Sequence, residues 1–274
     1  MPSNAQVKAL EELYIDLGVM VEAAEQYPKV YRRAKRQYGQ LLRVEQQFDL
    51  SMRNYFAGLP ARILHRVNWV EYQHQVAAWD VQVDITQQDW QTEESLMFTS
   101  AMPGITTATR IGAAAAEQIF TVSGQGVPVT EAAIQTQAAQ HAAELVKGLA
   151  QTTKDQLNQS IQTSLKQHES YDEAAARLSD TLDSSYRAEL IARTETVRAY
   201  SAGVVQYGSD NGAVSKTWRV ADNPCPICES MADTTVAIDA EFLYGDLYPP
   251  AHPACRCGIE LNMASDEVPV DFGD

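Results

Sequence analysis

Apolar residues recur at spacings of three and four along the first two-thirds of the chain, the period of helices that bury one face. Val7, Leu10, Leu13, Tyr14, Leu17, Met20 and Val21 predict a first helix. Pro28 predicts the start of a second, which carries Tyr31, Leu41, Leu42 and Phe48 to about Phe56. Gly58, Leu59 and Pro60 predict a break, after which Ala61 to Val83 holds a further rhythm with Trp69, Tyr72, Val76 and Trp79. Between Trp90 and Pro128 the signals mix: Pro103-Gly104 reads as a turn, Ala113 to Phe120 as a short helix, and Ser123 to Pro128 as a loop. Thr130 is placed to cap a helix running toward His168. That helix is rich in Gln and Thr and has a modest apolar face, which fits partial exposure or packing on a neighbouring chain.

The pattern sharpens at Ser170. Ser170 and Glu173 have the spacing of a capping box, followed by Ala174, Ala175, Leu178 and Leu182 on one helical face. After Ser184-Ser185 another helix carries Leu190, Ile191, Thr194, Val197 and Ala202 and ends near Gly208 or Gly212. The period then changes from helical to alternating in Lys216-Thr-Trp-Arg-Val-Ala221 and Thr235-Val-Ala-Ile-Asp239, with Gly258 to Asn262 as a third strand. The fold class expected is therefore α+β and predominantly α-helical. A long-helix region over 1–168, subdivided near 90–128, precedes a small α+β module over 169–263 and an acidic, disordered tail over 264–274.

The composition, 45% apolar, supports a packed core and excludes wholesale disorder. No apolar run reaches the ~18 residues of a membrane span. The first residues lack the basic and apolar regions of a secretory signal, so a cytoplasmic site of synthesis is expected. The formal charge of −15 argues against a protein coated in nucleic-acid contacts. It is unevenly spread, however. Lys29, Arg32, Arg33, Lys35, Arg36, Arg43, Arg53, Arg62 and Arg66 face only Glu25, Glu45 and Asp49, which is +6 locally and leaves −21 on the remainder. The segment Lys29, Arg32, Arg33, Lys35, Arg36 is thus a candidate contact for DNA or an acidic partner, although no aromatic residues interleave it, and a solvated helix face accounts for it more simply.

All four cysteines fall in the last 50 residues, as Cys225-Pro-Ile-Cys228 and, 23 residues later, His252-Pro-Ala-Cys255-Arg-Cys257. Two thiols separated by two residues can reach one tetrahedral zinc, and a second pair from His252, Cys255 and Cys257 would complete it. Five donors compete for four places. Cys225, Cys228, His252 and Cys255 are the favoured set, with Cys257 as a substitute. Disulfides between the two groups are the competing reading, disfavoured by cytoplasmic synthesis. A redox CxxC would need a thioredoxin-like βαβ setting, which is missing. A catalytic zinc would need an open coordination position and a placed acid or base, so a structural zinc is expected.

Ile191-Ala-Arg-Thr-Glu-Thr-Val-Arg-Ala-Tyr200, Trp218, Cys225-Pro-Ile-Cys228 and Pro250-Ala-His-Pro-Ala-Cys-Arg-Cys257 occur in a fixed order. Together they resemble the C-terminal domain of the phage Mu F-like minor head proteins, also called the SPP1 gp7 family of head morphogenesis proteins, over roughly Ser170 to Asn262. The resemblance implies a non-enzymatic minor capsid protein, associated with the portal or capsid interior of a tailed phage, in one or more copies per virion. It implies contact with the portal, major capsid or scaffolding protein, and for some members a part in packaging or ejecting phage DNA. The rivals are a DNA-binding packaging factor using the 29–66 stretch and a toxin-like enzyme, since Mu F-like domains also occur joined to toxin domains. Residues 1–165 show no catalytic constellation.

Arg193 and Glu195 stand about 200° apart around a helix and cannot pair with each other. Glu189 with Arg193, and Glu195 with Arg198, are the helical neighbours. A structural role is expected for both, because no partnered nucleophile or phosphate loop accompanies them. His65, His74, His141 and His168 lack metal-ligand spacing and are expected at surfaces.

Overall fold

The computed structural model of the chain describes residues 28–29, 31–78, 87–120, 126–182 and 184–263. A single 3-10 turn over Tyr31–Arg33 is followed by α1 (Lys35–Leu64), α2 (Trp69–Ala78), α3 (Gln87–Phe120), α4 (Glu131–Lys166), α5 (Tyr171–Leu182) and α6 (Ser185–Asp210). After these come β1 (Ala213–Arg219), the short α7 (Pro226–Ser230), β2 (Thr235–Ala237) and β3 (Gly258–Met263). The fold is α+β and predominantly helical. The helix expected over Val7 to Val21 and the tail from Ala264 lie outside the described residues, as does Trp79 to Val83.

Three expectations are corrected. The break at Gly58-Leu59-Pro60 is absent: α1 continues through Pro60 to Leu64. The hydrogen bond lost at the proline is outweighed by burial of Phe56, Leu59 and Ile63, all fully excluded from solvent. For the same reason the helix expected to begin at Ala61 starts only at Trp69, after a turn. Nor does the chain turn at Pro103-Gly104; α3 runs unbroken through both and absorbs the short helix expected at Ala113. Gly104 serves packing instead, since a Cβ there would come within 2.7 Å of the Phe48 ring.

The helix starts follow their local chemistry. Thr130 Oγ1 accepts from the Ala133 amide at 3.2 Å at the head of α4. Ser170 and Glu173 form the capping box: the Ser170 amide donates to Glu173 Oε2 at 2.8 Å, and the Glu173 amide to Ser170 Oγ at 3.4 Å. Ser184 Oγ accepts from the Arg187 amide at 3.0 Å and opens α6.

The described residues divide into two compact units, neither of them continuous in sequence. One draws on the described residues up to Glu45, within Ile105–Ala138 and from Arg193 onward; the other on those within Gln46–Gly104 and Ala139–Ala192. The divisions therefore fall within helices, whereas the sequence reading divides the chain at 168/169. In the second unit, Phe48, Met52, Phe56, Met97, Leu157 and Leu178 are buried. Its one fully buried carboxylate among the described residues, Glu93, is held by Arg62 at 3.0 Å, Arg66 at 2.7 Å and the Tyr55 hydroxyl at 3.2 Å. An ion pair removed from water persists only with this degree of hydrogen bonding.

The first unit holds the sheet, ordered β2-β1-β3 and antiparallel throughout, with Thr217 opposite Thr235 on one side and Glu260 on the other. From Ala192 to Val204, α6 is buried on nearly every face, as suits a central helix. It approaches α3 backbone to backbone. A Cβ on Gly112 would lie 2.0 Å from the Tyr200 carbonyl oxygen, and one on Gly203 would lie 2.1 Å from that of Thr109.

Gly112→Ala or Gly203→Ala should therefore cost on the order of 2–3 kcal/mol in urea unfolding, because backbone cannot yield as a side chain can. Gly39→Ala and Gly148→Ala, in helices with nothing within 4 Å of the added Cβ, should instead gain up to about 1 kcal/mol. A pH effect is expected at the start of α5. Hydrogen bonding from Arg177 lowers Glu169 from its ordinary 4.5 to about 2. A lowered carboxylate contributes stability above its unfolded value and loses it as pH falls through the folded one. The thermal stability of the wild type over Glu169→Gln should therefore be constant above about pH 5 and vanish as the pH approaches 2.

Candidate metal centre

The first ligand pair is shaped locally. Cys225 is the N-cap of α7, its Sγ accepting from the Cys228 amide at 3.5 Å, and Pro226 occupies the first helical position, where a missing N–H costs nothing. One turn of helix thus aims both sulfurs to the same side. The second group lies on an irregular turn leading into β3. Ala254 adopts a left-handed φ of 61°, rare for a residue with a Cβ, and its amide donates to Thr194 Oγ1 of α6 at 2.9 Å. The Cys257 amide donates to Cys255 Sγ at 3.4 Å.

The two turns converge. His252 Nε2 lies 3.1 Å from Cys225 Sγ and 3.2 Å from Cys228 Sγ, and Cys228 Sγ lies 3.6 Å from Cys255 Sγ. The ligand atoms form two triads, Cys225–Cys228–His252 and Cys228–Cys255–Cys257, each with all its atoms within 4.8 Å, and Cys228 belongs to both. All four cysteines are free thiols and buried. The Nδ1 of His252 donates to the Pro253 carbonyl at 2.8 Å, which turns Nε2 toward the sulfurs.

Sulfurs around a tetrahedral zinc at ~2.3 Å would stand roughly 3.8 Å apart, close to the spacing seen here, so this donor set can hold a metal ion. The electrostatics fit the same use. A hydrogen bond from Cys228 holds the Cys225 thiol down at about 4 against the opposing effect of burial, and likewise keeps Cys255 well below the ordinary thiol range. Cys228 is raised, with the neighbouring Cys225 and Cys255 sulfurs as the largest causes. Burial alone would deprotonate His252, but the Cys225 and Cys255 sulfurs outweigh it and raise the imidazole to about 10. A dication bound by these donors would displace the protons that the sulfurs and the imidazole otherwise carry.

The structure also places the residues around this centre. Thr194 braces the second turn from within the Arg193-Thr-Glu-Thr196 sequence, so the two separated motifs meet in space. Glu195 is buried and pairs with Arg198 at 3.3 Å. Glu189 meets Arg53 at 3.4 Å in the second unit. Arg193 is half-buried near the head of the same helix segment. Asp246 is pushed up to about 6 by burial, with the Arg198 cation opposing.

Sequence reasoning missed Tyr31, Glu45 and Arg256. Tyr31 is buried with its ring centroid 4.2 Å from that of Tyr200 and its hydroxyl accepting from the Ile259 amide at 3.1 Å. Arg256 donates to both oxygens of Glu45, at 2.7 and 2.5 Å. The one available signal was an isolated glutamate inside a basic helix.

Much of that basic stretch is already engaged. Arg33 pairs with Glu260 at 3.2 Å, Arg53 with Asp49 at 2.8 Å, and Arg62 and Arg66 with Glu93. Lys29, Lys35, Arg36 and Arg43 are exposed, and the side chain of Arg32 lies outside the described residues. Of the other histidines, His65, His74 and His168 are exposed and His141 half-buried. No helix among the described residues is long and apolar enough to cross a membrane.

A helical α+β protein with a buried Cys/His knuckle beside an Arg-Thr-Glu-Thr helix is the class these features define. Residues 151–260 match the family described as Phage Mu protein F like protein. The match begins within α4, ahead of the Ser170 expected from the motifs. Comparison with curated proteins and with solved structures yields no match.

Proposed function

We propose that this chain is a minor head protein of a tailed phage, incorporated at the portal or capsid interior during procapsid assembly, without catalytic activity. The observation that carries the reading is the Mu F-like match over 151–260, a span that contains both motifs now joined through Thr194 and Ala254. The portal protein, the major capsid protein and scaffolding are the partners this reading supplies, with phage DNA a further contact for members that package or eject it. Direct DNA binding through 29–66 is the weaker reading, because Arg33, Arg53, Arg62 and Arg66 already meet carboxylates of this chain.

The metal in this reading is a structural zinc, held by Cys225, Cys228, His252 and Cys255, with Cys257 beside them. Four protein donors leave no open position for a water or substrate, which fits scaffolding rather than catalysis. Bound there, the ion supplies positive charge and directional bonds to a region with three short strands and little apolar bulk. The chain's own contribution is to present three cysteine sulfurs and one oriented imidazole.

Three measurements test this. Quantitative immunodetection in purified particles should find the protein at a fixed copy number in procapsids and virions; absence from both would remove the proposal. Elemental analysis should find one zinc per chain, lost in Cys225→Ser, Cys228→Ser and Cys255→Ser and retained in Cys257→Ser. Chelation should expose 211–263 to protease while most helical circular dichroism remains. Unchanged protease resistance would argue against a structural metal.

A further inference from the structure

We infer that Glu45 is a positioning residue for the metal centre, and that the segment from Tyr31 to Glu45 is a working part of the metal module although it lies outside the matched span 151–260. The inference rests on the reading of the Cys/His cluster as a metal site. The two ligand groups differ in what shapes them. Cys225 and Cys228 are arranged by their own helix cap, which needs nothing distant in sequence. Cys255 and Cys257 lie on an irregular turn closed locally by the Cys255 amide on the His252 carbonyl at 3.2 Å and the Cys257 amide on Cys255 Sγ at 3.4 Å, and held in direction from outside.

Three anchors set that direction instead. Thr194 Oγ1 takes the Ala254 amide at its start. Arg256, between the two cysteines, is 8% exposed and locked in a two-pronged ion pair with Glu45, 211 positions away. At its end, the Tyr31 hydroxyl accepts from the Ile259 amide, and Gly258 packs so closely on the Tyr31 ring that a Cβ would come within 2.5 Å of it. Two of the three anchors thus come from the segment 31–45. A planar guanidinium gripped at both nitrogens fixes orientation as well as position, which one point contact would not do. The main chain on either side of Arg256 carries the Cys255 and Cys257 sulfurs, so the geometry of the ion pair is transmitted to the ligands. Partners of this kind around a metal site alter affinity without touching the ion.

The test uses the full-length apo protein titrated with Co²⁺, read by its visible d–d bands, with Zn²⁺ in competition. Glu45→Gln should weaken metal binding about 10- to 100-fold and alter the d–d envelope. The exchanged pair Glu45→Arg with Arg256→Glu should recover part of the loss. Leu157→Ala, buried in the other compact unit, should lower stability yet leave metal affinity unchanged. If Glu45→Gln fails to fold, Glu45→Asp, which keeps the charge on a shorter arm, should show an intermediate loss. Wild-type affinity and spectrum in Glu45→Gln or Glu45→Asp, or an equal loss in Leu157→Ala, would overturn the inference while leaving the metal site intact. If the wild type binds neither ion, the metal reading itself falls and this inference with it.

Discussion

Thiolates crowded together in a protein interior repel one another unless protons or a cation sit between them, and the first compact unit is organised around meeting that demand. Cys228 stands within reach of Cys225, His252 and Cys255, and hydrogen bonding within the cluster lowers Cys225 and Cys255 below the ordinary thiol range. The imidazole of His252 is oriented by a carbonyl and held protonated by the same sulfurs. Everything nearby is concerned with placing those atoms: the cap on α7, the left-handed Ala254, the hydroxyl of Thr194 and the Arg256 guanidinium. A dication is the natural replacement for the protons, since it can engage four of the five donors at once.

Around that centre the packing is unusually close. Gly112 and Gly203 let α3 and α6 meet at their backbones, and α6 in turn carries Thr194 to the metal-type turn and Tyr200 to Tyr31. The Arg-Thr-Glu-Thr sequence is therefore less a site than a strut. Thr194 bonds the turn, and Glu195 is occupied by Arg198. In this chain the Arg-Thr-Glu-Thr helix and the Cys/His knuckle are joined physically, through the bond from the Ala254 amide to Thr194 Oγ1.

Charge follows the same logic of internal use. The excess of arginines between Lys29 and Arg66 invites a nucleic-acid reading, but several are spent on carboxylates of the chain itself, most completely on buried Glu93. Between Arg219 and Arg256, by contrast, there are six acidic residues and no lysine or arginine. The carboxylates thus outnumber His252 as the charged groups of this stretch, which disfavours a phosphate backbone as its neighbour.

Much of the architecture was legible in order along the chain. Helical periodicity, the caps at Thr130 and Ser170, the change to alternation at Lys216 and the five metal-type donors are all local signals, because each depends on residues within a few positions of one another. The misreadings at Pro60 and Pro103-Gly104 share one cause. Local propensity favours a break by a few kcal/mol at most, and burial of large side chains along the whole helix exceeds it. What no local signal could reveal is which distant residues hold the second ligand turn. Tyr31, Glu45 and Thr194 are an ordinary tyrosine, glutamate and threonine in sequence, and only the packing of the Tyr31–Arg33 turn, α1 and α6 against the ligand turn makes them its anchors. The sequence by itself determined that the donors exist, how the first pair is presented and which family the domain resembles. The tertiary structure decided that the donors converge, because convergence depends on contacts across 60 to 228 residues that carry no periodicity or spacing to read.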